Sequence, residues 1–282
     1  MALRYLPYCS VSFICLSNLE ANLRKAKLLG RIGVGYCLYK RFSRNLAELT
    51  KWTEIFNNMK TLDELINLNE PGWELVPEWL NEAENEFEIL PKDKKRAEKE
   101  LVNAQVTTRS PMGAVIYETG GILIDKGWLR ILGSGSEKLD RGLTEWNKGK
   151  TFENYGEQPT HFLIADDIIG GYFAINAGGI GSEMGKVYYL PQDTLEWECL
   201  GTNYSQFLYW ALTGDINKFY ETFRWENWQN DIAKANGNQV FSFFPFLWTK
   251  QGKDIEKTDR RLVPIEENYN LTLDFQKQFS EK

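Results

Sequence analysis

Two adjacent carboxylates, Asp166 and Asp167, have the residue type and spacing best suited to chemistry. They follow the apolar run 161–165 and precede the turn residues 168–171. Such a pair could hold a hard cation or act as a general acid and base. Neighbouring strand residues point to opposite faces, so a shared site requires the turn to bring them together. The alternative is a turn in which the carboxylates are either solvated or bonded to nearby backbone as in an Asx-type turn.

His161 is the only histidine of the sequence. A two-histidine metal site is therefore excluded, and a Ser-His-Asp triad would have to use His161 itself. The residue begins an apolar run, and no G-x-S-x-G motif accompanies it. We predict a structural role for His161, and we predict neither a metal nor a cofactor.

The glycine-rich segment 178–181 raises the question of a phosphate-binding loop. Such a loop must open a helix whose N-terminal amides meet the anion. Here it runs into Lys186-Val-Tyr-Tyr-Leu190, which is typical of a strand. The pattern predicts a hairpin connection.

The chain has 10 tryptophans, which could form a binding platform or fill the core. Most are spaced as core residues of strands or helices. Trp146 instead lies in the polar, glycine-rich segment 133–158, where core burial is least expected. We therefore predict that Trp146 contacts a ligand or partner.

The elements that must position these residues follow an α+β order. Helices are predicted over 61–66, from Pro77 to Phe87 and from Pro91 to Ala104, and again after Tyr204. Between them, short runs punctuated by glycine predict strands, among them 114–118, 121–125 and 161–165. The expected fold is a central, mostly antiparallel twisted sheet with helices on its N-terminal and C-terminal sides, and segment 133–158 is a loop or insertion.

The charge is unevenly distributed along the chain. Residues 1–58 carry nine basic and three acidic side chains, a net of +6, whereas the whole chain carries −6. Residues 59–282 therefore carry −12. We predict that 1–58 is a basic extension outside the folded domain and that 59–282 is one domain. The extension is either a misread upstream segment, with Met59 as the natural start, or a basic arm that folds on a partner or a membrane surface.

An acidic body is unfavourable for nucleic acid and suits a basic partner, or serves solubility alone. The 4 cysteines show no paired spacing, which is typical of a reducing compartment. No stretch has the ~18–20 apolar residues of a membrane span. We predict a cytoplasmic protein that binds neither nucleic acid nor membrane.

A distinctive motif runs from Arg109 to Gly135 as RSPMGAVIYETGGILIDKGWLRILGSG. Together with the segments 162–181, 185–201 and 241–248, it resembles an uncharacterised bacterial family catalogued as domain of unknown function 2625. The resemblance covers about residues 59 to 250 and implies no particular activity.

The chain is more weakly similar to the SUKH superfamily, many of whose members are immunity proteins that neutralise bacterial toxins. The similarity rests on five short features in the same order: Leu90-Pro91, Gly120-Gly121, Ala165-Asp166-Asp167 with Gly170, Val187-Tyr188 and Tyr204–Leu208. Segment 133–158 and the long region after Leu212 depart from that pattern. The resemblance implies a binding protein with no shared catalytic residue.

We therefore predict a non-catalytic protein that binds a basic, toxin-like partner through an acidic, aromatic-bearing face. The predicted contacts are Trp146, Asp166, Asp167 and Glu183. One alternative is a carboxylate-based enzyme acting on a sugar or related small substrate, with Glu118, Asp125, Asp166 or Asp167 as acid and base. Another is a carbohydrate or small-ligand module with an aromatic pocket.

Overall fold

The structure is a computed structural model that describes residues 59–280. The predictions about residues 1–58 lie outside this range, and the single domain over 59–282 stays a prediction. Within the described range the fold is α+β, as expected from the order of the elements.

Seven strands form one antiparallel sheet in which each strand pairs with the next along the chain. These strands are β1 Phe87–Leu90, β2 Gly121–Ile124, β3 Leu129–Leu132, β4 His161–Asp167, β5 Tyr172–Asn176, β6 Val187–Leu190 and β7 Glu198–Cys199. A separate hairpin pairs β8 Gln239–Phe244 with β9 Asp259–Pro264. The predicted hairpin at 178–181 is confirmed, because this segment joins β5 to β6.

Helices precede, interrupt and follow the sheet. They are α1 Leu62–Leu65, α2 Leu75–Asn81, α3 Lys94–Ala104, α4 Pro111–Glu118, α5 Leu143–Asn147, α6 Tyr204–Thr213, α7 Ile216–Phe219, α8 Trp228–Ile232 and α9 Ile265–Ser280. None of the described helices is both long and apolar enough to cross a membrane.

The central strands are covered on both faces. All four residues of β3 are buried, and so are all four of β6. On one face Phe173 of β5 packs against Phe207 of α6, and on the other Tyr172 packs against Tyr269 of α9. Coverage on both sides explains why these strands lack alternating polar residues.

Helix α4 corrects the prediction of a strand over 114–118. The side chain of Ser110 accepts a hydrogen bond from the Gly113 amide, and Pro111 occupies the first turn. A serine N-cap followed by proline is a helix start signal, and here it outweighs the β-branched residues of the run. The helix predicted from Pro77 to Phe87 is shorter than expected, because it ends at Asn81 and Phe87 begins β1.

Segment 133–158 is not a polar insertion over its whole length. It contains α5, and its apolar residues Leu139, Leu143 and Trp146 belong to the core. The polar composition masked three well-spaced apolar residues that pack inward.

Candidate functional site

The carboxylates of Asp166 and Asp167 end β4, and both side chains are fully buried. Asp166 contacts Arg130 and Arg141, whereas Asp167 contacts two tyrosines from other elements. The two side chains therefore point to opposite faces of the sheet, as strand alternation requires. The turn does not bring them into one site.

Asp166 is held by two arginines at once. Arg130 donates from Nε to Oδ1 over 2.5 Å, and Arg141 donates from one terminal nitrogen to Oδ2 over 2.7 Å. Each carboxylate oxygen thus receives a charge-assisted hydrogen bond, the stronger kind in proteins.

Other guanidinium donors of this cluster reach the start of the second hairpin. Arg130 donates to the carbonyl of Gln239 over 2.6 Å, and Arg141 donates to the carbonyl of Gly237 over 2.8 Å. Arg141 also donates from Nε to the side-chain oxygen of Asn238. The cluster therefore fastens the β8–β9 hairpin to the main sheet.

Asp167 accepts four hydrogen bonds. The amides of Ile169 and Gly171 donate to Oδ1 over 3.2 and 2.7 Å, and the hydroxyls of Tyr189 and Tyr220 donate to Oδ2 over 2.7 and 3.2 Å. Burial raises the pKa of Asp167 to about 6, and these donors only partly offset the desolvation of the charge. The two hydrogen bonds from the amides of Ile169 and Gly171 form a turn of the Asx type, which was one of the possibilities that the sequence suggested.

Trp146, the predicted contact residue, is 5% exposed. Two cations lie over its ring, with the Arg141 guanidinium 4.7 Å and the Lys150 ammonium 4.1 Å from the ring centroid. Tyr269 of α9 packs against the ring edge at 5.9 Å. Cations over an indole face are attracted by its quadrupole. The contact between Trp146 and Tyr269 joins α5 to α9.

Glu183 is the one predicted contact residue that is exposed. It lies in the loop between β5 and β6, which Asn176 holds by donating to the carbonyls of Gly181 and Glu183. Contact by the four residues stays a prediction. In the structure the side chains of Trp146, Asp166 and Asp167 have almost no solvent-exposed area, because the core and the ionic cluster enclose them.

The other predicted acid–base candidates are also paired. Glu118 accepts a hydrogen bond from Lys92 over 2.6 Å, and Asp125 pairs with Arg224. Within residues 59–280 no group of three or more His, Cys, Asp or Glu side chains is placed to hold a metal ion.

His161 is half-buried beside Trp197, with the two ring centroids 5.6 Å apart. Its Nδ1 lies 3.3 Å from the hydroxyl of Thr160. Burial lowers the pKa of His161. A neutral histidine supporting a tryptophan agrees with the structural role predicted for it.

Glu100 is a buried carboxylate that the sequence reasoning missed, because helix 94–104 looked like a charged surface helix. Ala97, Glu100 and Leu101 form its buried stripe. One Glu100 oxygen accepts from the amide of Thr144 over 2.7 Å, and the other has no hydrogen-bond partner among residues 59–280. Burial raises the pKa of Glu100 to about 7.

An open groove is the second feature that the sequence reasoning missed. Its lining includes Ile180 of the β5–β6 loop, residues 193–197 before β7, and Gln276 and Lys277 of α9. The signal in the sequence was the segment Asp193-Thr-Leu-Glu-Trp197, in which a tryptophan lies close to two carboxylates that are exposed in a loop. Trp197 is half-buried, whereas the spacing of most tryptophans in the sequence predicted core positions.

The fold and the site define a class: an α+β protein built on an antiparallel meander, with its central carboxylates enclosed and an open groove beside its C-terminal helix. A sequence model described as "Protein of unknown function DUF2625" matches residues 62–268. The chain belongs to this family, which confirms the resemblance inferred from the motif at Arg109–Gly135.

Two relatives are similar over nearly their full length. A Haemophilus influenzae protein named "Uncharacterized protein" is 47% identical over 224 residues, which cover 79% of this chain and 96% of that protein. The Escherichia coli K12 protein "Putative uncharacterized protein YbfG" is 40% identical over 223 residues, covering 79% and 100%. No solved structure matches the chain. The weaker SUKH similarity stays a prediction.

Proposed function

We propose that this protein works by binding a protein partner that presents a basic surface. The observation that carries the proposal is the contrast between two sets of carboxylates. Asp166 and Asp167 are buried and engaged with arginines or hydroxyl donors, whereas the carboxylates of residues 179–198 are exposed.

The exposed set has the charge that such a partner needs. Residues 179–198 contain four acidic side chains, Glu183, Asp193, Glu196 and Glu198, and one basic side chain, Lys186. Carboxylates on a binding face steer a basic partner during encounter and favour it over acidic competitors. Met184, which is 71% exposed, adds an adaptable apolar contact.

The geometry gives less support to an enzyme acting on a sugar. Glycosidases place two carboxyl groups across one cleft. Here Asp166 and Asp167 point to opposite faces, and Glu118 and Asp125 are each paired with a cation.

A toxin as the partner and the cytoplasm as the location are the finer parts of the proposal. The first is supported by the order of motifs shared with the SUKH superfamily. The second is supported by the cysteine spacing of the sequence.

The test is in-cell crosslinking of the tagged full chain in its source organism, followed by reconstitution of the complex from purified proteins. We expect one partner at comparable stoichiometry. The double variant Glu183→Lys, Glu196→Lys should weaken its binding about tenfold or more, mainly through the association rate. Charge reversal of Glu74 and Glu78, two exposed carboxylates at the N-cap and within α2, is the matched control. Absence of a reconstitutable partner, or equal affinity in both variants, would contradict the proposal.

A further inference from the structure

The groove beside α9 has a volume of about 1030 Å³ and is open to solvent. Its lining includes the loop 193–197, Ile180, and Gln276 and Lys277 of α9. Trp197 and Trp248 also line it, and both are half-buried. A cleft of this size with aromatic and charged lining is suited to a side chain and its flanking backbone.

We propose that this groove is the docking site for a segment of the partner that carries an aromatic or aliphatic anchor residue next to lysine or arginine. The inference rests on the proposed function and names the surface and the partner chemistry.

The loop that forms the groove is held in place before any partner binds. Leu195 adopts a left-handed conformation with φ 57°, and its side chain is 4% exposed. Its amide donates to the carbonyl of Pro191 over 3.1 Å, and its carbonyl accepts from Gln276 of α9 over 2.8 Å. The buried leucine and these bonds fix the direction of Glu196 and Trp197. A preformed loop loses little entropy on binding, which favours affinity.

Neighbouring rings pack against both tryptophans of the groove. His161 lies against Trp197, and Phe246 stacks on Trp248 with ring centroids 5.6 Å apart and planes inclined by 9°. Phe275 of α9 packs edge-on against Trp248. Supported indoles that keep part of their surface exposed are favourable contacts for an apolar anchor.

The charge of the rim selects the residues next to the anchor. Asp193 and Glu196 are exposed in the groove lining, and among residues 59–280 Lys277 is the one basic residue of that lining. Glu198 and Glu183 lie just beyond in sequence and are also exposed. The excess of carboxylates complements lysine or arginine beside the anchor.

The experiment pans a random peptide library against the immobilised full chain and measures the affinity of the enriched peptides. We expect sequences that combine lysine or arginine with an aromatic or aliphatic residue. Trp197→Ala, and separately Asp193→Asn with Glu196→Gln, should each weaken their binding about tenfold. The carboxylate variant keeps the inference testable if the tryptophan variant fails to fold.

Leu68→Ala, at an 85% exposed position, and Glu74→Gln with Glu78→Gln are matched controls that should leave the affinity unchanged. Acidic or purely polar peptides, or peptides that bind all variants equally, would overturn the inference. Self-association of the chain through the groove, or oligosaccharide binding that depends on Trp197 in place of peptide binding, would also overturn it. If a reconstituted partner binds the groove variants normally, the groove is wrong and the proposed function stands. If neither a partner nor a peptide binds, both the groove as a docking site and the proposed function are contradicted.

Discussion

Arg130 lies directly across from Asp166 on the neighbouring strand, and the two side chains bond where both are at most 2% exposed. An ion pair in such a place is costly to form and more costly to break, because the remaining partner stays buried without its counter-charge. The pair therefore governs stability more than any exposed ion pair of the same length.

Asp166→Asn should lower the free energy of unfolding by about 3–5 kcal/mol. Two buried arginines would then share a neutral amide in place of a carboxylate. Urea denaturation at neutral pH measures the change, with the exposed Glu183→Gln as a control that should stay within about 0.5 kcal/mol of the unsubstituted protein. A similar small change in both variants would show that the arginines find another counter-charge.

Trp146→Ala should destabilise the protein by about 3–5 kcal/mol, because it leaves a cavity between two cations and Tyr269. Thermal unfolding followed by circular dichroism measures the loss. Trp146→Phe, which keeps an aromatic face for Arg141 and Lys150, should lose less. Weaker partner binding with an unchanged melting temperature would instead support the contact role predicted from the sequence.

Glu100 should make stability depend on pH in a defined direction. Its pKa is raised from 4.5 to about 7 in the folded state, so below pH 4.5 the residue is protonated in both states and contributes no difference. As the pH rises to about 7, the unfolded state gains from ionisation first and stability falls by about 3 kcal/mol. Above pH 7 the loss is complete.

The measurement is urea denaturation of Glu100→Gln and the unsubstituted protein between pH 4.5 and 8. The glutamine variant lacks this ionisation, so the stability difference in its favour should grow across that interval. A difference that stays constant with pH would show that Glu100 titrates normally.

The absence of a side chain at Gly142 leaves room for the carboxyl group of Glu100. A Cβ at this position would lie 2.6 Å from Cδ of Glu100 and 2.8 Å from Oε2, although the backbone φ of −71° suits any residue. Gly142→Ala should therefore cost about 1–3 kcal/mol through crowding alone. The cost should shrink when Glu100 is alanine, and a double-mutant cycle measures that coupling. An equal cost in both backgrounds would place the clash elsewhere.

The sequence was sufficient for strands such as β2 and β4 and for the alternation that separates Asp166 from Asp167. It was also sufficient for helix α6, whose residues 204–213 follow an Asn203 cap. These features depend on neighbours along the chain, where periodicity and capping act.

The burial of Glu100 and Trp146 could not be predicted in the same way. Each depends on residues far along the chain, Thr144 for Glu100 and Tyr269 for Trp146. The local composition around both is polar, and a polar segment is ordinarily exposed. The groove was missed for the same reason, since Leu195 is held by Gln276 of a helix whose position the sequence left open.

The bonds from Arg130 and Arg141 to the carbonyls of Gln239 and Gly237 have a consequence for how the molecule opens. Detaching the β8–β9 hairpin would leave two guanidinium groups without these acceptors while Asp166 still holds them inside. Local opening at that point therefore costs nearly as much as opening β3 and β4 themselves. In native-state hydrogen exchange the amides of β3, β4 and β8 should exchange as one cooperative unit, although about 70 residues separate β4 from β8 along the chain.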